Sequence, residues 1–307
     1  MKISIFGAGN VGSLTALRVA QENFAEVVLV DIVKGLAQGK SFDMEDARWL
    51  LNNNYNLRGT EDINQIKNSD IIVVTAGLAR KPGMTREELL VKNAAILKDI
   101  CLNIKNLSPN AIVIIVTNPL DLMTYYALKI TGFSPKKLFG MGISLDAARF
   151  ANIISKELNV PVVDIEACVI GSHGEAMLPV ARFTKVKDKT LDKLVDSNKC
   201  ADLIKRTISR GLEIVTLLGS GSAYFAPSAA ITQIVKAIVK NESHIIGVCA
   251  LLNGEYGLKD ICLGLPCRIG KTGIEEIIKL DLNKEETEAL NKSADSIRIL
   301  LKQLPNP

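Results

Sequence analysis

The feature that most constrains the fold of this chain is the glycine-rich string GAGNVG at residues 7–12. It follows a short β-favouring run at residues 2–6 and precedes a helical pattern at residues 13–21, which predicts a strand, a tight turn and a helix. Asp31 comes nineteen residues after Gly12, at the end of a second apolar run. In this context, GxGxxG indicates a βαβ unit that binds a dinucleotide.

Each part of this string has a physical role in dinucleotide binding. Gly7 permits the tight turn, Gly9 lets the backbone approach a pyrophosphate, and Gly12 allows close helix packing, while the helix N-terminus stabilises the phosphate charge. Asp31 is placed to accept hydrogen bonds from the adenosine ribose and to repel a 2′-phosphate. We therefore expect NAD rather than NADP, although Lys34 is a nearby cation of the kind that an NADP pocket would recruit.

The pattern of apolar runs predicts an α/β fold. In the first half these runs are continuous rather than alternating, and helical stretches separate them; they lie at residues 2–6, 26–30, 71–75 and 112–117. Such strands are buried on both faces, which predicts a doubly wound parallel sheet, the Rossmann arrangement, as an NAD-binding domain over residues 1–143. Residues 144–307 are expected to form an α+β substrate domain, with a helix at 144–158, an apolar run at 165–170, antiparallel strands at 245–252 and 260–269, and a closing helix at 284–304.

Composition excludes several classes of protein. Of the 307 residues, 48% are hydrophobic, which is enough to bury a sizeable core and argues against disorder. The net charge is +4 and the basic residues are scattered, so nucleic acid is not an expected partner. The longest apolar runs fall far short of the roughly 18 residues that span a bilayer, so no membrane partner is expected. The six cysteines include no CxxC pair, which predicts no metal site and free thiols; with no signal-peptide pattern, we expect a cytoplasmic protein.

A first polar segment, GLARKPGMTREELL at residues 77–90, follows the third predicted strand. It therefore lies at the carboxyl edge of the sheet, where open α/β sheets bind ligands. Thr85 and Glu88 have the spacing of a capping box, which makes Arg86 the first residue of the next helix. With glycines as hinges, the segment has the character of a mobile lid that carries Arg80 and Arg86; a solvated basic loop is the alternative.

Two further segments place ionisable side chains in an otherwise apolar chain. In LDAAR, Asp146 and Arg149 are three residues apart and share one helix face, as an ordinary surface ion pair would also do. In GSHGE, His173 ends the apolar run before it, although a lone histidine is more often structural. The chain has only two histidines, and His244 lies in a polar turn without such neighbours, so His173 is the candidate for acid–base chemistry.

Together these strings resemble a known family. GAGNVG with Asp31, TAGLARKPGMTR, VTNPLD, LDAARF and GSHGE occur in the order and spacing of the malate and lactate dehydrogenase family, over essentially the whole chain. The resemblance implies an enzyme that transfers a hydride between NAD and a 2-hydroxy acid. It also implies cofactor contacts by Asp31 and by residues of the glycine string and of the loops after the third and fourth strands: Gly7, Ala8, Gly9, Asn10, Val11, Gly12, Thr75, Ala76, Gly77, Asn93, Val116 and Asn118.

The resemblance also implies a role for each polar residue of the substrate site. Asp146 would orient His173 and hold it protonated when a keto acid is reduced. Arg149 matches the residue that clamps the substrate carboxylate, and Arg86 matches the lid arginine that polarises the substrate carbonyl. Asn118 matches the asparagine that hydrogen-bonds near the substrate oxygen and the nicotinamide.

Arg80 suggests the substrate. Six residues before the carbonyl-polarising arginine, glutamine is typical of the lactate enzymes of this family and arginine of the malate enzymes. Arg80 would pair with a second carboxylate, whereas pyruvate would leave the guanidinium enclosed without a partner. A site built around such a contact can reject the analogue that lacks it by up to about 10⁴- to 10⁵-fold. We therefore expect malate and oxaloacetate; the string GSGSAYFAPSAA fits a lactate-dehydrogenase-like subgroup of the malate enzymes.

Two alternatives differ from this interpretation. One is a lactate or broader 2-hydroxyacid dehydrogenase, which a comparison of substrates would distinguish. The other is a dinucleotide-binding module without catalysis, which would be expected to lack some of Arg86, Asp146, Arg149 and His173. By analogy with the family, the chain is expected to form a homodimer or a homotetramer.

Overall fold

The computed structural model describes residues 1–78 and 85–306. In its first half, strands and helices alternate as the sequence predicts. The strands consist largely of isoleucine, valine and leucine and are almost entirely buried, because helices cover both faces of the sheet. The elements are β1 (Lys2–Phe6), α1 (Asn10–Gln21), β2 (Glu26–Val30), α2 (Leu36–Leu50), β3 (Leu57–Thr60), β4 (Ile71–Val74), α3 (Arg86–Leu107), β5 (Ile112–Ile115), α4 (Leu120–Thr131) and β6 (Leu138–Gly140).

These strands form a parallel sheet with a topological switch point. The strand order is β3-β2-β1-β4-β5-β6, and every neighbouring pair is parallel. The chain therefore adds β2 and β3 on one side of β1, and then crosses back to add β4, β5 and β6 on the other side. A crevice for ligands is expected outside the carboxyl ends of β1 and β4. The glycine string directly follows β1 and lies at this crevice.

Over its described residues, 144–306, the second half is built from four α-helices, short strands and a long antiparallel hairpin. Its elements are α5 (Ser144–Leu158), β7 (Ile165–Glu166), β8 (Val169–Gly171), β9 (Met177–Pro179), β10 (Lys185–Val186), β11 (Lys189–Thr190), α6 (Ser197–Leu218), α7 (Phe225–Lys240), β12 (His244–Asn253), β13 (Lys259–Gly270), β14 (Gly273–Ile277) and α8 (Lys284–Leu301). The predicted hairpin is present as the antiparallel pair β12–β13. The α/β class, the parallel first half and the mixed second half are thus confirmed.

The hairpin strands β12 and β13 do not form a separate sheet but extend the parallel one. β12 joins β6 through the pair Cys249 and Gly140, and the order continues as β6-β12-β13-β8-β9. A Cβ at Gly140 would lie 2.5 Å from Thr124 Oγ1 and 3.0 Å from Cys249 Cβ, so only glycine allows this approach. The division into domains at residues 143 and 144 stays a prediction.

The apolar run at residues 165–170 behaves differently from a single strand. Its start, β7, pairs with β10 in a small three-stranded sheet, whereas its end belongs to β8, which pairs with β13 in the main sheet. The run divides because its two ends pair with strands that are distant in sequence, which periodicity does not reveal. Across residues 1–78 and 85–306, no helix combines the length and the apolar character needed to cross a bilayer.

Candidate functional site

The glycine string forms a tight turn between β1 and α1. Gly7 has φ +97°, and a Cβ there would lie 2.8 Å from the backbone nitrogen of Ala76. A Cβ at Gly12 would lie 1.8 Å from the carbonyl oxygen of Gly7, so the helix packs directly on the turn. At Gly9, by contrast, a Cβ would meet nothing within 4 Å. Gly7 and Gly12 are therefore required by packing, whereas Gly9 leaves an open approach to the backbone.

Helix α1 begins at Asn10, three residues earlier than predicted, with Gly9 as its N-cap. Its first backbone N–H groups have no intrahelical partner, and no side chain caps them. Because the N-terminus of a helix favours negative charge, this end of α1 together with the open space at Gly9 fits a pyrophosphate. The residues present at the turn are thus suited to NAD.

Asp31 follows β2 and lies beside the turn. Its Oδ2 accepts a hydrogen bond from the backbone N–H of Ala8 at 2.6 Å, and its Oδ1 accepts from that of Val33 at 2.9 Å. Each carboxylate oxygen retains a second lone pair, so hydroxyl groups of a ribose could still be accepted. Lys34 is exposed, whereas Lys40, which the sequence analysis missed, donates to the carbonyl oxygen of Ala8 at 2.6 Å. Lys40 thereby ties α2 to the turn.

The loops after β4 and β5 are held together by Asn93 of α3. This side chain is almost fully buried; its Oδ1 accepts from the backbone N–H of Leu78 at 2.7 Å, and its Nδ2 donates to the carbonyl oxygen of Asn118 at 2.9 Å. Thr75 Oγ1 donates to the carbonyl oxygen of Phe6 at 2.8 Å. Asn93 and Thr75 therefore brace the crevice, whereas Asn118 is exposed in it.

The other predicted cofactor residues line the same turn and loops. Asn10 is exposed and Val11 half-buried in the first turn of α1, while Ala8 is fully buried beneath it. Ala76 and Val116 are half-buried after β4 and β5, and Gly77 is exposed beside them. The structure thus brings the predicted cofactor residues to one edge of the sheet; their contacts with NAD stay a prediction.

His173, Asp146 and Arg149 form one buried cluster. His173 Nδ1 lies 2.7 Å from Asp146 Oδ2, and Arg149 Nη1 donates to Asp146 Oδ1 at 3.0 Å. The Asp146 side chain is 0% exposed, against 16% for His173 and 12% for Arg149. Arg149 Nε is also buried and has no hydrogen-bond partner among the described residues. A surface ion pair and an isolated structural histidine, the two plain alternatives, do not fit this arrangement.

The charges around His173 favour its protonated form. Burial by itself lowers the pKa of the imidazole, and the Arg149 charge lowers it further. The charge and hydrogen bond of Asp146 and the charge of Asp121 outweigh these effects, so that the pKa of His173 is raised above its ordinary value of 6.5. Since Asp146 engages Nδ1, the other ring nitrogen, Nε2, is the atom that can exchange a proton with a substrate.

Asp121, in the first turn of α4, was not recognised as part of the site. It is almost fully buried, and its Oδ2 accepts a hydrogen bond from the backbone N–H of His173 at 2.8 Å. The sequence signal was available, since Asp121 ends the string VTNPLD at residues 116–121 and is a carboxylate in a very apolar helix. Through Asp121, the loop that carries Asn118 is joined to the His173 cluster.

The predicted lid is only partly described. Arg80 lies outside the described residues, and so does the side chain of Arg86. Arg86 is the first residue of α3, and Thr85 and Glu88 form the predicted capping box: Thr85 Oγ1 accepts from the backbone N–H of Glu88, whose side chain accepts from that of Thr85. This confirms the predicted start of the helix.

Comparison with known proteins gives matches over nearly the whole chain. Residues 1–140 match the family model of the lactate/malate dehydrogenase NAD binding domain, and residues 143–305 match that of the lactate/malate dehydrogenase alpha/beta C-terminal domain. A malate dehydrogenase of Methanosarcina barkeri is 45% identical over 303 residues, which cover 99% of this chain and 99% of that protein.

Solved structures give the same result for the fold. The malate dehydrogenase of Salinibacter ruber has a TM-score of 0.94 and 38% identity, covering 99% of this chain and 97% of that chain. The lactate dehydrogenase of Cryptosporidium parvum, complexed with lactic acid and NAD, also has a TM-score of 0.94, with 34% identity, covering 99% of this chain and 98% of that chain. The fold therefore does not distinguish malate from lactate as the substrate.

Proposed function

This chain belongs to the lactate/malate dehydrogenase family of NAD-dependent oxidoreductases, and from that premise we propose that it catalyses the reversible oxidation of (S)-malate to oxaloacetate. The family and the class of enzyme are as the sequence predicted. The observation that carries the proposal is the buried cluster of His173, Asp146 and Arg149, which combines a proton carrier with a cation for a carboxylate.

In the proposed reaction, His173 carries the proton. During reduction of the keto acid, Nε2 of the protonated ring donates to the carbonyl oxygen; during oxidation, the neutral ring takes the hydroxyl proton. Asp146 accepts the Nδ1 hydrogen bond at 2.7 Å, which fixes the ring orientation and stabilises the imidazolium. The pKa of His173, raised above its ordinary value mainly by the Asp146 carboxylate against the opposing effect of burial, favours the protonated ring that an acid catalyst for reduction requires.

Arg149 is proposed to bind the substrate carboxylate next to the reacting carbon. Its guanidinium is already held by Asp146 through Nη1, so its orientation is set before substrate arrives. A planar guanidinium can make two parallel, charge-assisted hydrogen bonds to a carboxylate. Arg86, at the start of α3, is proposed to polarise the substrate carbonyl, and Asn118 to hydrogen-bond near it.

The cofactor would be held by the turn between β1 and α1 and by the loops after β4 and β5. Gly9 and the start of α1 would face its pyrophosphate, and Asp31 its adenosine ribose. When bound, NAD supplies the hydride acceptor for oxidation, and NADH the donor for reduction. The residues proposed to contact it are Gly7, Ala8, Gly9, Asn10, Val11, Gly12, Asp31, Thr75, Ala76, Gly77, Asn93, Val116 and Asn118.

The preference for malate rests on Arg80 and on the relatives. Arg80 would pair with the second carboxylate of malate or oxaloacetate, which lactate and pyruvate lack. The Methanosarcina barkeri relative, 45% identical, is a malate dehydrogenase. Both observations favour a dicarboxylate substrate.

The test is a comparison of kcat/KM for oxaloacetate and pyruvate with NADH. We expect the wild type to prefer oxaloacetate, and Arg80→Gln to reduce this preference at least about 10²-fold, since charge-assisted hydrogen bonds contribute about 1.5–3 kcal/mol each. Lys81→Gln removes a neighbouring charge and should keep the preference within about threefold. Comparable efficiency on both acids would instead indicate a lactate or broader 2-hydroxyacid dehydrogenase, and NADH binding without any turnover would indicate a non-catalytic module.

Two further proposals concern the assembly of subunits and the cellular location of the protein. Large apolar side chains are exposed on α2 and α6, among them Trp49 at 87% and Leu217 at 80%, which supports assembly with further copies as a homodimer or homotetramer. Light scattering after gel filtration measures the number of subunits, and a monomer would contradict the proposal.

The cysteines bear on the location of the protein. All six are free, which is typical of a reducing compartment and supports a cytoplasmic location.

A further inference from the structure

The inference concerns Lys40, a half-buried lysine of α2 whose ammonium group lies against the glycine turn. Its Nζ donates to the carbonyl oxygen of Ala8 at 2.6 Å and to the hydroxyl oxygen of Ser13 at 3.2 Å. Neither acceptor is charged, so neither neutralises the ammonium group. Lysine side chains mostly extend into water. An ammonium group directed at the backbone of the fully buried Ala8 therefore indicates a specific role.

Lys40 and Asp31 hold Ala8 through both of its backbone polar groups. Asp31 Oδ2 accepts from the N–H of Ala8 at 2.6 Å, and Lys40 donates to the carbonyl oxygen of the same residue. The hydroxyl of Ser13 also donates to this carbonyl oxygen, at 2.9 Å. A carboxylate at the N–H and an ammonium group at the C=O make charge-assisted hydrogen bonds, which are stronger than neutral ones. The two peptide units that flank Ala8 are therefore fixed in orientation before a cofactor binds.

The orientation of the second peptide unit determines where the N–H of Gly9 points. The C=O of Ala8 and the N–H of Gly9 belong to one planar trans peptide, so they point in opposite directions. Because the C=O points to Lys40, the N–H points away from it. Within residues 1–78 and 85–306 this N–H has no hydrogen-bond acceptor, and the space beside Gly9 is open. The turn thus has a free donor where the pyrophosphate is proposed to bind.

We propose that Lys40 is a positioning residue for the cofactor: by holding the C=O of Ala8, it directs the N–H of Gly9 towards the pyrophosphate of NAD. The inference rests on the proposed function, because the pyrophosphate site at this turn is part of that proposal. Lys40 acts through the backbone and need not touch the cofactor.

Glycine makes this orientation easy to lose. Gly9 has φ −68°, but glycine adopts positive φ about as readily, so the peptide between Ala8 and Gly9 can rotate at little steric cost. After such a rotation, the partially negative carbonyl oxygen would face the pyrophosphate and repel it. The ammonium group of Lys40 opposes the rotation. It also polarises the peptide, which makes the N–H of Gly9 a stronger donor.

The test is the affinity of Lys40→Met for NADH, measured by calorimetry on the full chain without substrate. Methionine keeps the apolar part of the side chain but removes the charge and the donor. One charge-assisted hydrogen bond to the pyrophosphate corresponds to about 10- to 150-fold in affinity. Because Ser13 still donates to Ala8, we expect the lower end of this range, a dissociation constant raised about 10-fold. In steady-state assays, the change should fall mainly on KM for NADH rather than on kcat.

Fragments of the cofactor separate this role from a general loss of structure. ADP-ribose contains the pyrophosphate, whereas adenosine reaches only the ribose site at Asp31. Each is added to the NADH complex, and its dissociation constant is obtained from the loss of NADH fluorescence. Lys40→Met should weaken ADP-ribose about 10-fold and leave adenosine within about twofold. A lysine that only anchors α2 would change both fragments to a similar extent.

Two variants serve as controls. Lys34→Met removes an exposed charge three residues after Asp31 and should keep the affinity for NADH within about threefold. An equal loss in Lys34→Met and Lys40→Met would attribute the effect to charge alone and contradict the proposal. Lys40→Arg keeps a cation with N–H donors, so it should recover most of the affinity that Lys40→Met loses.

Two results would overturn the proposal. One is wild-type affinity for NADH in Lys40→Met, and the other is an equal loss for ADP-ribose and adenosine. If Lys40→Met does not fold, Lys40→Ala removes the same contact with a residue that favours helices, and the same titrations apply. The proposed function fails separately, through a wild type that binds NADH but does not reduce oxaloacetate, because the titrations need no turnover.

Discussion

A pair of alanine substitutions in the glycine string should separate folding from cofactor binding. At Gly12, a Cβ would lie 1.8 Å from the carbonyl oxygen of Gly7, whereas ordinary contact begins at 3.4 Å. The turn and α1 would have to separate by roughly the difference, about 1.6 Å, and backbone atoms cannot rotate away as a side chain can. Overpacking costs about 1–3 kcal/mol, and we expect Gly12→Ala to reach the upper end, lowering the thermal midpoint by about 5 °C or more.

Gly9→Ala should have the opposite profile. Gly9 has φ −68° and free space around its Cβ position, so alanine fits, at a cost of less than about 1 kcal/mol for an N-cap position. The added methyl group, however, would occupy the approach of the pyrophosphate to the backbone. Loss of one charge-assisted hydrogen bond, about 1.5–3 kcal/mol, weakens NADH binding by about 10- to 150-fold.

The assays are thermal unfolding without cofactor and titration of NADH by calorimetry at 25 °C. Gly39→Ala is the matched control, because Gly39 lies within α2 with nothing near its Cβ position and should retain both stability and affinity. Wild-type affinity in Gly9→Ala would refute the assignment of this turn to the pyrophosphate. Wild-type stability in Gly12→Ala would refute the packing argument.

Three other predictions concern the proposed catalytic cluster of His173, Asp146 and Arg149. Because the pKa of His173 is raised above 6.5 and reduction needs the protonated ring, kcat/KM for oxaloacetate should fall as the pH rises through that pKa, while malate oxidation should increase over the same range. Asp146→Asn should move both profiles to lower pH and reduce turnover about 10²- to 10⁴-fold; unchanged profiles would contradict the pairing of Asp146 with His173. Arg149→Lys keeps the charge but loses the planar pair of donors, so kcat/KM should fall at least about 10-fold in steady-state assays while the affinity for NADH stays the same.

The sequence predicted most of the first half of the fold because its signals are local. Strand β1, the glycine turn and helix α1 follow one another within 21 residues, and their glycine and apolar positions can be identified without knowledge of distant contacts. The same holds for the capping box at Thr85, where the Thr85 and Glu88 contacts span three residues. The predicted boundaries were less accurate, since α1 starts three residues earlier than expected.

Contacts between distant segments could not be predicted in this way. The apolar pattern does not reveal that β12 continues the parallel sheet past Gly140, nor that the run at residues 165–170 divides between two sheets. Both depend on which strands meet, and a pattern of period two only indicates that a segment is buried. For the substrate site, the resemblance to a family supplied the pairing of Asp146 with His173, which local pattern alone left open.

The sequence by itself therefore determined the dinucleotide-binding unit, the α/β class, the family and a single candidate imidazole among two histidines. Only the tertiary structure decided how His173 is held. Asp146 and Asp121 are 27 and 52 residues away in sequence, yet both bond to His173, one through the ring and the other through the backbone. The physical reason is that the pKa of His173 depends on burial and on charges brought together by packing, neither of which is a property of the residues next to it in the chain.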